Sequence, residues 1–430
     1  MMDWERLLSY QRVKGGHTEQ FDYARSPFNV DFDRIIFSDA FRRLDEKTQV
    51  HPLRNNDNVH SRLSHSLEVA SVGRSLGTLA GGFLKERSLL PRDFTPDHTG
   101  QIVQTACLAH DIGNPPFGHT GEEIIQNWFK EKGMSYLESL KSSEITDFTA
   151  FEGNAQAFRI ITRLGMYKND GGIRPTYAVI ASMMKYPWIH RDGIKKFCCF
   201  SDDLPTLDGI AQKTGLIGKD GIYQRHPLAY LSEAADDICY SIIDIEDAYE
   251  LNLISYDEAY ETLNGICGVK AEKLASKTRK ESIAYLRAIA IGKCVEAVIA
   301  EFKDRYDEIM EARLHYKHNL LENSAVKDSI AEAKKLGSGK IYINPRKIML
   351  EVGAENIYDI LLTNFCKAAH DKATKNGQGY RTRGVMNIMG DGAVQEGENV
   401  FSAMHKVLDY VTGMTDSYAC ETAKLMQGIA

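Results

Sequence analysis

Apolar residues recur every three or four positions along most of this chain, and strict alternation is almost absent. Such spacing lines up on one stripe of a helix, whereas a half-buried strand needs a period of two. An all-α fold is therefore expected, with at most a small β-hairpin. The pattern predicts a helix over 31–46 and another from Ser61, with Leu63, Leu67, Val69, Leu76 and Leu79 as its apolar set. A third runs over 97–111, with Asp97 capping its start and Gly113 ending it. Thr120-Gly-Glu-Glu123 has the form of a capping box for the next helix, with Glu123 as the reciprocal partner. Further helices are predicted over 152–163, 175–185, 227–250, 256–263, 271–320, 324–336, 346–367 and 396–426. Asn55–Asn58 reads as a polar turn, and 193–225 as an irregular insertion with a tight turn or small hairpin at Lys219-Asp-Gly221. Ile341-Tyr-Ile343 is a short strand candidate, and 377–397 a glycine-rich surface loop.

At 430 residues and 43% apolar composition, the chain has material for a sizeable core. A formal net charge of −7 speaks against bulk, non-specific binding to nucleic acid. Lys195-Lys196 and Lys334-Lys335 give only slight support to a groove for single-stranded nucleic acid. Eight cysteines show no C-x-x-C spacing and several lie in apolar helical runs, which fits buried thiols in a reducing cytoplasm. No secretory leader and no apolar run of about 18 residues is readable, so no membrane span is expected.

The densest chemistry lies in Cys107-Leu-Ala-His110-Asp111-Ile-Gly-Asn-Pro-Pro-Phe-Gly-His119-Thr-Gly-Glu122-Glu123. Adjacent His110 and Asp111 can offer an imidazole nitrogen and a carboxylate oxygen to one cation, which suits a borderline or hard divalent ion. His65 follows Arg62 by three residues, so both share a helix face. Taken alone, such a histidine is more often a hydrogen-bonded core or surface residue. Asp236, Tyr240 and Asp244 repeat at four-residue spacing on a helix rich in Ala and Ile. Two carboxylates and a phenol are costly to bury there without partners. Either a metal and a polyhydroxylated ligand meet them, or the face is solvated, as expected for Asp237, Glu246 and Asp247.

Five stretches, in order, resemble the bacterial deoxyguanosine triphosphate triphosphohydrolases of the HD-domain superfamily. They are Arg62-Leu-Ser-His65-Ser-Leu-Glu-Val69, the His110–Glu122 stretch, Phe151-Glu-Gly-Asn-Ala-Gln-Ala-Phe-Arg159, Met184-Lys-Tyr-Pro187 and Ala234-Ala-Asp-Asp-Ile-Cys-Tyr240. Gly413-Met-Thr-Asp416 is a weaker match. The resemblance implies that His65, His110, Asp111 and Asp236 hold one divalent metal, manganese first, with magnesium, cobalt, nickel, iron or zinc as alternatives. It implies hydrolysis of a dNTP, dGTP first, to deoxynucleoside and inorganic triphosphate by attack of water at the α-phosphorus. His119 and Glu122 take the family's acid/base positions, and a histidine held by a carboxylate suits proton transfer. Arg62 and Lys185 fall where phosphates are met, Gln49, Tyr240 and Asp244 near the sugar, and Asn154 and Tyr186 at further pocket positions. The resemblance also implies homo-oligomeric rings, often hexamers. On it, 1–250 forms an HD-type catalytic core and 251–430 a helical, oligomer-forming region packed on that core. The competing expectations are another HD phosphohydrolase, such as a nucleotidase or guanosine-tetraphosphate hydrolase, and a regulatory relative that binds dNTP or single-stranded nucleic acid.

Overall fold

The computed structural model describes residues 2–13, 21–22, 24–48, 61–165, 171–191, 194–218, 221–315, 317–341, 345–375 and 379–429. Gln49, the Asn55–Asn58 turn, Lys219-Asp220 and Tyr342-Ile343 lie outside the described residues. Among the described residues the fold is all-α, and strand pairing is limited to isolated bridges such as antiparallel Ile217–Tyr223. The helices of seven residues or more are α1 (Pro27–Ile36), α2 (Arg62–Glu86), α3 (Pro96–Ala109), α4 (Gly118–Trp128), α5 (Ser142–Thr149), α6 (Gly153–Arg159), α7 (Tyr177–Met183) and α8 (Leu204–Thr214). They continue with α9 (Pro227–Glu250), α10 (Tyr256–Cys267), α11 (Arg279–Asp304), α12 (Lys327–Leu336), α13 (Pro345–Ala373), α14 (Tyr380–Met389), α15 (Val400–Thr412) and α16 (Asp416–Met426).

Several starts follow from local chemistry. Ser61 caps α2 by accepting the Ser64 amide, and Ser255 with Glu258 and Thr278 with Glu281 close capping boxes for α10 and α11. α9 begins at Pro227, whose missing N–H is harmless in a first turn. Where structure and expectation part, the cause is also local. The 31–46 run breaks because Ser38 caps a separate turn, Asp39–Arg42, while Asp31 sits inside α1, buried against Arg12 and the Thr176 amide. Thr95 precedes α3, its amide donating to His98 Nδ1, and Asp97 lies within the first turn. The 193–225 insertion is not irregular throughout: it contains α8, ended by Gly215 at φ 76°. The 377–397 loop contains α14. The 271–320 run divides into α11 and a short Tyr306–Met310 helix, and 396–426 divides where Thr415 caps α16.

The acidic residues flanking the Asp236 face of α9 are not solvated. Asp237 accepts from Asn319 and lies near Lys334, Glu246 pairs with Arg287, and Asp247 is buried. On α2, Leu67 and Leu79 are each 48% exposed. The stripe turned to α3 runs instead through Gly73, Gly77 and Gly81: a Cβ on Gly77 would stand 2.6 Å from the Thr99 carbonyl oxygen and 2.9 Å from Gly100 Cα. Backbone therefore meets backbone, which fixes His65 on α2 relative to His110 at the end of α3. Gly77→Val should pry these helices apart at a cost of about 1–3 kcal/mol. A Cβ at Gly82 meets nothing within 4 Å, so Gly82→Ala should instead gain about 0.5–1 kcal/mol by helix propensity. Urea denaturation of the two variants checks this; a Gly77→Val protein as stable as wild type would contradict the packing account.

Two buried clusters organise the molecule. One joins residues of α2, α3, α9 and α11, among them Val69, Cys107, Ile238 and Leu286. The other joins Phe117, Ile125 and Ala155 to Tyr358, Leu361, Val407 and Val411 of α13 and α15. No helix among the described residues is long and apolar enough to cross a membrane.

Candidate metal centre and acid/base pair

His65 lies one turn into α2, His110 and Asp111 directly follow α3, and Asp236 is midway along α9. These three helices share one core, and they bring the four side chains together. His65 Nε2 stands 3.1 Å from Asp236 Oδ1, and His110 Nε2 stands 3.5 Å from both Asp236 Oδ1 and Asp111 Oδ1. One donor atom each from His65, His110 and Asp111 falls within 4.8 Å of the others. His110 Nδ1 lies 2.6 Å from the Cys107 carbonyl oxygen. A carbonyl only accepts, so Nδ1 carries a proton and Nε2 is the nitrogen turned to the cluster, the one on which a metal would take a proton's place. Arg62 donates to Asp111 Oδ2 at 2.7 Å, and the Asn114 amide donates to Oδ1. The donor set thus fits a divalent cation, with its carboxylate and one imidazole held by outer partners.

The electrostatics of the metal-free cluster agree. Burial presses the His110 imidazole toward neutrality, but Asp111 and Asp236 outweigh it and raise its pKa to about 9. Burial likewise opposes charge on Asp111, yet His110, Arg62 and His65 lower its pKa to about 2. Asp236 is held well below the usual range by His110 and His65 against its own desolvation. Protons and a cation compete for the same nitrogens and oxygens here.

A second group stands on the other side of Arg62. Phe117 precedes α4 in the left-handed region, at φ 62° and ψ 15°, and Gly118 follows at φ 60°. A Cβ on Gly118 would fall 2.4 Å from an Arg62 guanidinium nitrogen, so the arginine crosses directly beneath the start of α4. His119 is 80% exposed, and its Nδ1 lies 2.9 Å from Oε2 of buried Glu122. Glu122 Oε1 accepts the Gly153 amide at 2.8 Å. The bond to Glu122 raises the His119 pKa. Burial alone would push Glu122 up, but His119 and Lys196 hold it down. Lys196 is 3.6 Å from Glu122 and 2.8 Å from Glu152, and Glu152 also accepts from the Asn154 amide at 2.7 Å. The Thr120–Glu123 capping box does not form: Glu123 is exposed and the Thr120 hydroxyl donates to Glu351 at 2.9 Å.

Of the remaining expected residues, Lys185 and Tyr186 lie close to this cluster, and Gln49 lies outside the described residues. Lys185 pairs with Glu233 at 2.9 Å, near Asp236 and over the Tyr186 ring. Tyr240 and Asp244 stand one and two turns beyond Asp236 on α9, half-buried and buried. From the sequence Glu152 has no expected role, and Lys196 has only the slight one of a nucleic-acid groove, not a place beside Glu122. Glu152 lies inside a resembling stretch, but Lys196 sits in the 193–225 insertion, where no periodicity singles it out.

The HD domain family matches residues 62–160, the segment holding His65, His110, Asp111, His119 and Glu122. The chain is similar to a deoxyguanosinetriphosphate triphosphohydrolase-like protein of Pseudomonas aeruginosa, with 42% identity and 99% of each chain covered. It is 34% identical to a protein of the same description from Synechocystis, with 100% of each chain covered. Identity to the deoxyguanosinetriphosphate triphosphohydrolase of Serratia proteamaculans is 28%, with 97% of each covered. With its donor cluster and full-length relatives, this chain belongs to the HD-domain deoxyguanosinetriphosphate triphosphohydrolase family and is a metal-dependent HD phosphohydrolase.

Proposed function

We propose that this protein hydrolyses dNTPs, dGTP foremost, to deoxynucleoside and inorganic triphosphate. The observation that carries the reading is an exposed imidazole, His119, bound to a buried carboxylate, Glu122, across Arg62 from the His/Asp cluster. A divalent ion on His65, His110, Asp111 and Asp236, manganese first for such mixed donors, would supply positive charge to an α-phosphate oxygen and orient water.

The chain's own residues supply the rest. Arg62 Nε is buried with no hydrogen-bond partner among the described residues, a donor that a phosphate oxygen would satisfy. Lys185 and Lys196 both lie near Tyr186 and extend the cationic lining along the triphosphate. As the water oxygen bonds to the α-phosphorus, the bond from phosphorus to the 5′ oxygen breaks. The His119 imidazolium gives its proton to that departing oxygen, while Glu122 holds the other ring nitrogen; the proton lost by the attacking water passes to solvent, from which His119 is protonated again. The raised His119 pKa supports this role by keeping the acid form populated. Tyr240 packs beneath C2′ and excludes a ribose hydroxyl, Asp244 accepts from the 3′-hydroxyl, and Gln49 and Asn154 complete the sugar and phosphate contacts.

Reaction in ¹⁸O-labelled water should place the label in triphosphate and leave the deoxynucleoside unlabelled. Label in the nucleoside, or orthophosphate or pyrophosphate as product, would overturn the reading in favour of another HD phosphohydrolase. A strong preference for dGTP over GTP is expected in wild type and should weaken in Tyr240→Ala. Equal hydrolysis of both by wild type would remove the deoxyribose pocket.

A further inference from the structure

The two halves of the site rest on different cores. The metal-type donors come from α2, α3 and α9, whose apolar faces share one cluster, whereas Phe117 and α4, which carry His119 and Glu122, pack into the cluster built with α13 and α15. Proton transfer to a leaving oxygen requires these halves in register, since a misplacement of about 1 Å can cost 10²-fold in rate.

The turn between α15 and α16 is where they are pinned. Asp416, 1% exposed, accepts the Phe117 amide on Oδ1 at 3.0 Å. Its other oxygen, Oδ2, accepts the Thr48 amide at 3.1 Å and the Thr48 hydroxyl. Neighbouring Lys47, equally buried, donates to the Asn114 carbonyl at 2.6 Å and the Thr412 carbonyl at 2.8 Å. Asn114 is the residue whose amide holds Asp111. From α13, the buried Tyr358 hydroxyl donates to the Pro116 carbonyl at 2.8 Å. Three buried side chains therefore grip the Asn114–Phe117 backbone, and all three tie it to the C-terminal helices, Lys47 through the Thr412 carbonyl. The gripped segment ends in Phe117, a non-glycine residue in the left-handed region. Such a conformation is disfavoured for a residue with a side chain and persists only when its surroundings over-determine it.

We propose that Asp416, with Tyr358 and Lys47, is a positioning residue for catalysis: the α15–α16 turn holds the Asn114–Phe117 loop so that His119 faces the metal-held phosphate. Asp416 touches neither substrate nor reacting atoms. It acts through the Phe117 amide, which sets where α4 begins. This rests on the triphosphohydrolase reading for its catalytic consequence, though not for its geometry.

The experiment uses the full-length manganese-loaded protein with dGTP. Asp416→Asn keeps shape but replaces one acceptor oxygen by a donor, so the Thr48 and Phe117 amides cannot both be satisfied. Its kcat should fall about 10- to 100-fold with KM within about threefold of wild type. Manganese content should be unchanged, and the His119 titration, followed by NMR in the diamagnetic zinc-loaded protein, should move toward the ordinary histidine value as its bond to Glu122 loosens. Tyr358→Phe removes only a hydroxyl and should show the same pattern more weakly; it decides the matter should Asp416→Asn fail to fold. A folded Asp416→Asn protein with kcat within about twofold of wild type would overturn the proposal. So would a loss confined to manganese content. If wild type releases no triphosphate from any dNTP, the functional reading falls. The clamp is then judged on amide exchange at Phe117 and His119, which must quicken in Asp416→Asn and, if unchanged, overturns it.

Discussion

His110→Ala and Asp111→Ala should each lose bound metal and turnover together, by about 10³-fold or more, because several kcal/mol of charge stabilisation at the phosphate goes with the ion. Each substitution deletes a donor from a cluster whose ligand atoms lie within 4.8 Å of one another. The outer partners should matter less. Asn114→Ala leaves all four donors in place and removes only one bond to Asp111, so a loss of about 10–100-fold in metal affinity is expected. Elemental analysis of purified variants beside turnover numbers separates these cases. Full metal occupancy in both His110→Ala and Asp111→Ala would remove the pair from the ligand set.

The same cluster predicts opposite pH dependences with and without metal. In the metal-free protein, Asp111 and Asp236 raise the His110 pKa from 6.5 to about 9 despite burial. A group raised on folding contributes its full stabilisation below the unfolded value and loses it as pH climbs through the folded one. Chelated protein should therefore lose thermal stability between pH 6.5 and about 9. Metal takes the proton's place on the imidazole, so metal affinity should rise across that window. Calorimetric scans of chelated and loaded protein across it check the sign; a chelated protein that gains stability with rising pH would contradict the arrangement.

How much of this was legible in the chain depends on whether the deciding interaction is local. α9 can be read to its boundaries, because Pro227 and an uninterrupted apolar stripe mark it without help from elsewhere. The start of α2 is equally local, set by Ser61 and Ser64. Its buried face is not, since the residues turned to α3 are glycines, which no hydrophobicity pattern counts, and Leu67 and Leu79 point outward. α4 begins at Gly118 because Asp416 and Tyr358, some 240 to 300 residues away in sequence, hold Phe117 and Pro116, and this overrides the local capping signal at Thr120. The acidic residues beside Asp236 looked solvated because Arg287, Asn319 and Lys334 approach from distant helices. In the site, donors adjacent in sequence or in resembling stretches were legible. Lys196, whose partners Glu122 and Glu152 come from other segments, was not.

His119→Ala and Glu122→Gln should keep metal and fold but lose rate, for different reasons. His119 is 80% exposed, so its removal costs little packing, and the loss falls on proton transfer itself. A general acid–base contribution of about 10²–10⁴-fold in kcat is expected to disappear, with KM nearly unchanged. Glu122→Gln keeps an oxygen for the Gly153 amide but removes the negative charge that draws the proton onto His119. The His119 pKa, raised by Glu122, should fall toward the ordinary value. If the imidazolium is the acting form, the alkaline limb of the kcat profile should then move to lower pH in Glu122→Gln and vanish in His119→Ala. That shift separates a proton-transfer role from a structural one, because a variant that merely loosened α4 would lose rate equally at every pH. Turnover of His119→Ala close to that of wild type, measured with metal content confirmed, would remove the imidazole from the mechanism and leave the phosphate charge to Arg62, the two lysines and the metal.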